Sequence, residues 1–367
     1  MSRPAETSSI GQLMIVGFEG TAMSSQLAAL LTRLQPAGVV LFARNIVSPQ
    51  QTHELLKDCQ RLVSTPLFTC VDMEGGLVDR LRRAVAPTPS AASVFASHDR
   101  KLFRKHGRII GQECRAVGFN TDFAPVSDLG FEASRTVMAS RAVSADPKQT
   151  IIYVREFLSG LREVGVLGCG KHFPGLGEGN LDSHHDLPVI NKPWKRLWAE
   201  DLVPYRTLRR EYPFVMISHA AYPAVTGNET PASLSRKWIM EVLRKKIGYR
   251  GLVVSDDLEM GGVLSAAPIE QAAVEHIRAG GDLCLICHKE EFIVRAYEAT
   301  VREAERDRRF HKRVAESAKR VLAFKKRSRE LKRMPPPPTT AKVERLTREI
   351  WEFSEQVRLA TLNQEQA

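Results

Sequence analysis

Short, apolar, β-branched runs recur along the chain at 13–18, 38–42, 67–72, 119–125, 166–171, 214–219, 251–256 and 282–287. Between them lie longer stretches of helical periodicity, among them 49–62, 99–117, 147–164 and 235–247, each long enough to pack back on a sheet. Eight strands alternating with helices predict an α/β fold, a single TIM-like (β/α)8 barrel, with a doubly wound open sheet as the structural alternative. Past residue 333 the pattern changes. Prolines 335–338 favour an extended polyproline spacer. Beyond them Val343, Leu346, Ile350, Phe353, Val357 and Ala360 recur alternately three and four apart, the single apolar stripe of an amphipathic helix. The expected division is 1–333 for a catalytic barrel, 334–341 for a proline-rich linker and 342–367 for a C-terminal helix. That helix either docks on its own barrel, the simpler reading, or pairs with a second copy of the chain.

The polar residues are unevenly placed. Several apolar runs end in charged or imidazole-bearing clusters: Asp72-Met73-Glu74, Lys171-His172, Ser218-His219 and Asp256-Asp257. In a parallel barrel those ends converge on one face, where active sites form. The arrangement predicts an enzyme before any motif is considered.

Composition narrows the class. With 367 residues, 43% of them hydrophobic, the chain can bury one large core, which excludes general disorder. No apolar run approaches the roughly 20 residues that span a bilayer, and the N-terminal stretch lacks the apolar segment of a secretory signal. A soluble cytosolic protein with no membrane partner is expected. Cys59, Cys70, Cys114, Cys169, Cys284 and Cys287 are scattered, mostly inside apolar runs, as buried thiols in a reducing compartment would be. The net charge of +11 owes much to the segment 302–333, which reads as a solvated helix face rather than a nucleic-acid site.

The richest chemistry follows the fifth predicted strand, in Lys171-His172-Phe173-Pro174-Gly175-Leu176-Gly177-Glu178-Gly179-Asn180-Leu181-Asp182-Ser183-His184-His185-Asp186. Glycines on alternate positions imply a tightly turned or mobile loop. Asp182 and His184 are close enough for the carboxylate to fix the imidazole tautomer and leave the other ring nitrogen to exchange a proton. Taken alone the pair also reads as a solvated loop, and Asp182, His184, His185 and Asp186 as a metal cluster, although adjacent histidines lack the spacing of the usual zinc pairs. Asp256, at the end of the run 251–256, is a candidate nucleophile, while one of the pair Asp256 and Asp257 is expected to cap the next helix. Asp72 and Arg80 can grip vicinal hydroxyls or form a structural ion pair. Arg141 by itself reads as a surface arginine. Two other motifs carry little. Gly175, Gly177 and Gly179 lack the strand–glycine–helix setting of a phosphate cradle, and the Cys284, Cys287 and His288 string lies in a strand that points its two sulfurs to opposite faces.

Taken in order, these segments resemble glycoside hydrolase family 3, specifically its bacterial β-N-acetylglucosaminidases. The resemblance runs from Gly11 to Cys287 and includes the motifs 11–18, 41–46, 72–80, 123–126, 171–184, 231–235 and 255–258. It implies that Asp256 is the nucleophile of a retaining mechanism and that His184, paired with Asp182, protonates the leaving oxygen and later activates water. It implies sugar-binding roles for Asp72, Arg80, Arg141, Lys171 and His172, and neither metal nor cofactor. The implied substrates are small N-acetylglucosamine glycosides, cell-wall muropeptides recovered into the cytosol among them. Met73, Leu77, Leu176, Glu178 and Gly179 depart from the family pattern, which commonly has Gln, Arg, His, Asp and Thr there. The alternatives are a phosphorylase that uses phosphate in place of water and a non-catalytic sugar-binding barrel.

Overall fold

The eight apolar runs become strands because β-branched and aromatic residues fit a pleated surface buried on both faces. The computed structural model describes residues 10–179 and 186–365. Its strands are β1 (Met14–Val16), β2 (Gly38–Val40), β3 (Phe68–Val71), β4 (Met73–Gly75), β5 (Val78–Asp79), β6 (Thr121–Asp122), β7 (Cys169–Phe173), β8 (Phe214–Ile217), β9 (Leu252–Asp257) and β10 (Leu283–Ile286). All but β4 and β5 lie in one parallel sheet, in the order β6-β3-β2-β1-β10-β9-β8-β7. The two ends of that order also meet: Leu167 N–H donates to the Asn120 carbonyl at 2.9 Å, Cys169 N–H to Ala124 at 2.7 Å and Ser127 N–H to Lys171 at 2.6 Å. The sheet therefore closes into the expected barrel, which leaves no edge strand and rules out the open doubly wound alternative.

Period-two alternation divides the apolar residues between two layers. Ile15, Phe214, Met216, Leu252 and Val254 belong to an inner cluster, whereas Val16, Val215, Ile217 and Val253 pack in a larger outer cluster under the helices. Cys284 falls in the outer layer and Cys287 in the inner one, and all six thiols are free and buried. The helices begin and end where capping chemistry dictates. Ser48 and Asp146 each accept a backbone N–H ahead of a first-turn proline, Asp99 opens Arg100–Val117, and Gly118 ends it at φ 107°.

At the N-terminal end of the barrel the helix Arg308–Arg327 inserts Phe324, its ring 6.0 Å from Phe68 and 5.6 Å from Phe214. Next to it Lys325 is buried, its Nζ donating to Gln12 Oε1 at 2.8 Å and Thr65 Oγ1 at 3.2 Å. Arg308, Arg309, Lys312, Lys319, Lys326 and Arg327 face solvent as a charged helix face should. Arg313 and Arg320 turn instead to the fully buried Asp282.

The proline run is strapped to the barrel: Pro335 accepts a hydrogen bond from His53 Nε2 at 2.7 Å and Pro338 from Gln50 Nε2 at 3.2 Å. The C-terminal helix starts at Thr340, within the segment read as linker, because Thr339 caps it through Oγ1 to the Lys342 N–H. It packs against Arg100–Val117 and Ala91–Ala96, burying Leu346, Ile350, Phe353 and Val357. Phe353 stacks on His106 with ring centroids 5.8 Å apart. No helix among the described residues is long and apolar enough to cross a membrane.

Candidate active site

Every barrel strand delivers its last residue to the same end, and there a cavity of about 420 Å³ opens. Asp72, Arg80, Arg141, Lys171, His172 and Asp256 all line it. Six of the eight residues singled out from the sequence are thus brought together from four separate stretches of chain. Asp182 and His184 lie outside the described residues.

Directly after β3 the chain turns back as the hairpin β4–β5, where Gly75 (φ 83°) passes so close to the Pro89 carbonyl that a Cβ would sit 2.2 Å from it. Asp79 at the hairpin's end accepts the Leu81 N–H and, through its other oxygen, the Thr88 N–H and hydroxyl. This fixes the loop from which Arg80 enters the cavity. Asp72 and Arg80 do not pair with each other. Asp72 takes Lys171 at 2.8 Å, and Arg80 keeps a buried Nε without a hydrogen-bond partner among the described residues, its guanidinium 5.6 Å from the Phe42 ring centroid.

Glu74 anchors the charged floor. It receives both Nε (2.7 Å) and Nη2 (2.9 Å) of Arg141 and lies 2.6 Å from Lys171 Nζ. Burial would raise its carboxyl, but Arg141 and Lys171 outweigh that and hold it below the ordinary range. Burial likewise opposes the charge on Lys171, and Asp72 with Glu74 overcomes it. Arg141, which by itself reads as a surface arginine and which the family resemblance assigned to the site, is one arm of this network.

Asp256 and His172 are set by partners the sequence reading did not assign. Asp128 accepts His172 Nδ1–H at 2.7 Å and the His172 and Leu176 backbone N–H groups at 3.0 and 2.8 Å. The carboxylate fixes the tautomer and leaves Nε2 toward the cavity. Its only sequence signal was a buried-type aspartate three residues after the end of the run 119–125. His219 Nε2 donates to the Asp257 carbonyl at 2.9 Å, so its Nδ1 accepts from Ser233 Oγ at 2.7 Å; burial keeps the ring neutral by lowering its pKa. For Asp256, burial acts against ionisation, yet His172 and the Asp257 N–H at 2.9 Å bring its carboxyl below the ordinary value. Asp257 caps a turn through the Glu259 N–H at 3.0 Å, whereas the short helix that follows, Gly261–Leu264, starts after Met260 with no side-chain cap.

The model of the Glycosyl hydrolase family 3 N terminal domain matches residues 7–324. The chain belongs to glycosyl hydrolase family 3. Relatives named Beta-hexosaminidase include those of Alkalilimnicola ehrlichii, 38% identical over 77% of this chain and 82% of the relative, and Idiomarina loihiensis, 33% identical over 79% and 88%. A family 3 β-N-acetylglucosaminidase structure from Paenibacillus sp. str. FPU-7 aligns with a TM-score of 0.90 at 31% identity, covering 96% of this chain and 68% of that one. The protein is a glycoside hydrolase.

The departures from the family 3 pattern are accommodated in different ways. Met73 is fully buried, and its N–H donates to Asp122 Oδ1 at 2.9 Å. Leu77, at the tip of the hairpin, is 69% exposed. Leu176 lines the cavity, Gly179 closes a turn on its carbonyl, and Glu178 joins an ion cluster behind the glycine loop.

Proposed function

We propose that the protein is a retaining exo-β-N-acetylglucosaminidase that removes terminal β-linked N-acetylglucosamine through a covalent glycosyl-enzyme on Asp256. The observation that carries this reading is Asp256 itself, a carboxylate held ionised at the floor of a cavity ringed by Asp72, Arg141, Lys171 and His172. One of its oxygens is engaged by the Asp257 N–H, which leaves the other to attack the anomeric carbon. Asp72, Arg80, Arg141, Lys171 and His172 supply charge-assisted hydrogen bonds of the kind that grip sugar hydroxyls. His184, oriented by Asp182, gives its proton to the glycosidic oxygen and then takes one from water. The imidazolium that gives the proton is attracted to the ionised nucleophile, and the neutral imidazole it leaves avoids the repulsion that two carboxylates would suffer.

Cell-wall muropeptides are the proposed substrates. In the cavity lining the Phe42 ring has Arg44 at 4.7 Å and His288 stacked at 5.4 Å, these two paired with Glu19 and Asp257, and the Arg80 guanidinium at 5.6 Å, whose charge suits an anionic aglycone. The six buried, free thiols fit a reducing compartment, and the cytosol is the proposed location.

Hydrolysis of a chromogenic β-N-acetylglucosaminide beside the matching β-glucoside tests the reading. Only the N-acetyl substrate should react, Asp256→Ala should lower kcat/KM by roughly 10⁴-fold, and the first product seen by proton NMR should be the β-anomer. Initial release of the α-anomer would refute retention, and N-acetylglucosamine 1-phosphate formed in phosphate buffer would replace water with phosphate as the acceptor.

A further inference from the structure

Behind the cavity, and contributing nothing to its lining, Lys192 has a side chain with no solvent exposure. Its Nζ lies 2.6 Å from Asp201, 2.6 Å from Glu200 and 3.3 Å from Glu178, and 4.3 Å from the centroid of the Phe131 ring. These four groups come from three different parts of the fold. Phe131 belongs to the segment after β6 that ends in Arg141. Glu178 belongs to the glycine segment after β7. Glu200 and Asp201 join the two short helices that follow.

The glycine segment has no slack against these neighbours. A Cβ on Gly177 would stand 2.7 Å from the Leu129 carbonyl and 2.8 Å from the Phe131 ring, and one on Gly175 would stand 2.7 Å from the Asp201 side chain. Tyr222 donates its hydroxyl to the Gly175 carbonyl at 2.7 Å. From the outside Arg196 closes on Glu178 at 2.8 Å and Glu200 at 3.2 Å.

We infer that Lys192 is a positioning residue for the glycosidase reaction, its ammonium joining the segment that supplies Arg141 to the segment that leads toward Asp182 and His184. The physical reason is the cost of the alternative. Without the cation, the buried Asp201 loses its ion-pair partner and lies beside Glu200 and Glu178, which keep only the outer Arg196, and a carboxylate so placed must move away or protonate. Burial already pushes the Asp201 carboxyl up to about 6 even with Lys192 beside it. Either response shifts one loop relative to the other, and proton transfer is sensitive to such shifts because the donor must reach within hydrogen-bonding distance of the leaving oxygen.

The inference rests on the β-N-acetylglucosaminidase reading above, and its test separates the two. In the full-length protein, kcat/KM, which reports formation of the glycosyl-enzyme, is measured for phenyl and 2,4-dinitrophenyl β-N-acetylglucosaminides in wild type, Lys192→Met and Lys192→Arg. Phenolate departure needs a proton and dinitrophenolate departure does not. Lys192→Met should therefore lose at least about tenfold on the phenyl substrate and clearly less on the dinitrophenyl one, with Lys192→Arg recovering most of the loss. Glu178→Gln, which leaves Lys192 paired with Glu200 and Asp201, should show the same asymmetry at smaller size and serves if Lys192→Met does not fold. A folded variant that cleaves both substrates at wild-type rates, or loses both in equal proportion, overturns the positioning role. Wild-type protein that cleaves neither overturns the function itself, and this inference with it.

Discussion

Lys171 and Lys325 are both nearly sealed from solvent at opposite ends of one barrel, and their surroundings are opposite in character. Lys171 has Asp72 and Glu74 within 2.8 Å and shares Glu74 with Arg141, so its charge is held more firmly than in water. Lys325 is met by an amide oxygen and a hydroxyl, with the Phe68 ring centroid 5.2 Å away, and burial lowers its pKa to about 7. A buried cation with carboxylate partners is a fixed charge available to a ligand, whereas one without them gives up its proton. The same residue type thus builds the charged floor of the cavity at one end and a plug at the other.

Replacing Lys171 should break the contrast most severely. Lys171→Met leaves the carboxylate of Asp72 unpaired, and a loss of about 3–5 kcal/mol in unfolding free energy is expected together with loss of glycosidase turnover. Urea titration and a rate assay on the same sample measure both.

A smaller effect concerns pH. The folded protein holds Lys325 below its unfolded value of 10.5. Between about 7 and 10.5 the unfolded chain therefore binds more protons, and stability should rise with pH through that window, with a slope approaching about 1.4 kcal/mol per pH unit from this group. Below pH 7 the full cost of charging the buried amine is present. Thermal unfolding from pH 6.5 to 9 should reveal this component as a difference between wild type and Lys325→Met, and parallel curves would contradict it.

The smallest effects sharpen the comparison. Lys325→Met should change stability at neutral pH by no more than about 1 kcal/mol in the unfavourable direction, or increase it, with kcat/KM untouched. Gln12→Glu would give Lys325 the carboxylate it lacks and should flatten the pH dependence, making the lower end of the barrel resemble the upper one.

Much of the architecture was legible because each strand advertises itself locally. Stretches such as 214–217 and 252–254 are apolar at successive positions, as strands buried on both faces must be, and the segments between the strands carry their own caps at Ser48, Asp99 and Asp146. Asp72, Lys171, His172 and Asp256 stood out because charge at the end of an apolar run has few structural uses. Asp128 and Lys192 did not stand out. Nothing adjacent in sequence distinguishes a carboxylate that orients a histidine 44 positions away, or a lysine whose three acidic neighbours include two from the next helical turns. Arg141 was legible only through the family resemblance and not from its own neighbours, because its partner, Glu74, lies 67 positions earlier in the chain.

The sequence by itself determined the alternation of strands and helices, the face on which polar chemistry gathers and the family to which the chain belongs, since hydrophobic period, capping residues and motif order are local properties. Closure between β6 and β7, the bidentate grip of Arg141 on Glu74 and the opposite fates of Lys171 and Lys325 were decided only by the tertiary structure. Burial and charge pairing depend on which distant segments meet in space, and the electrostatic state of an ionisable group follows from those neighbours rather than from its own identity.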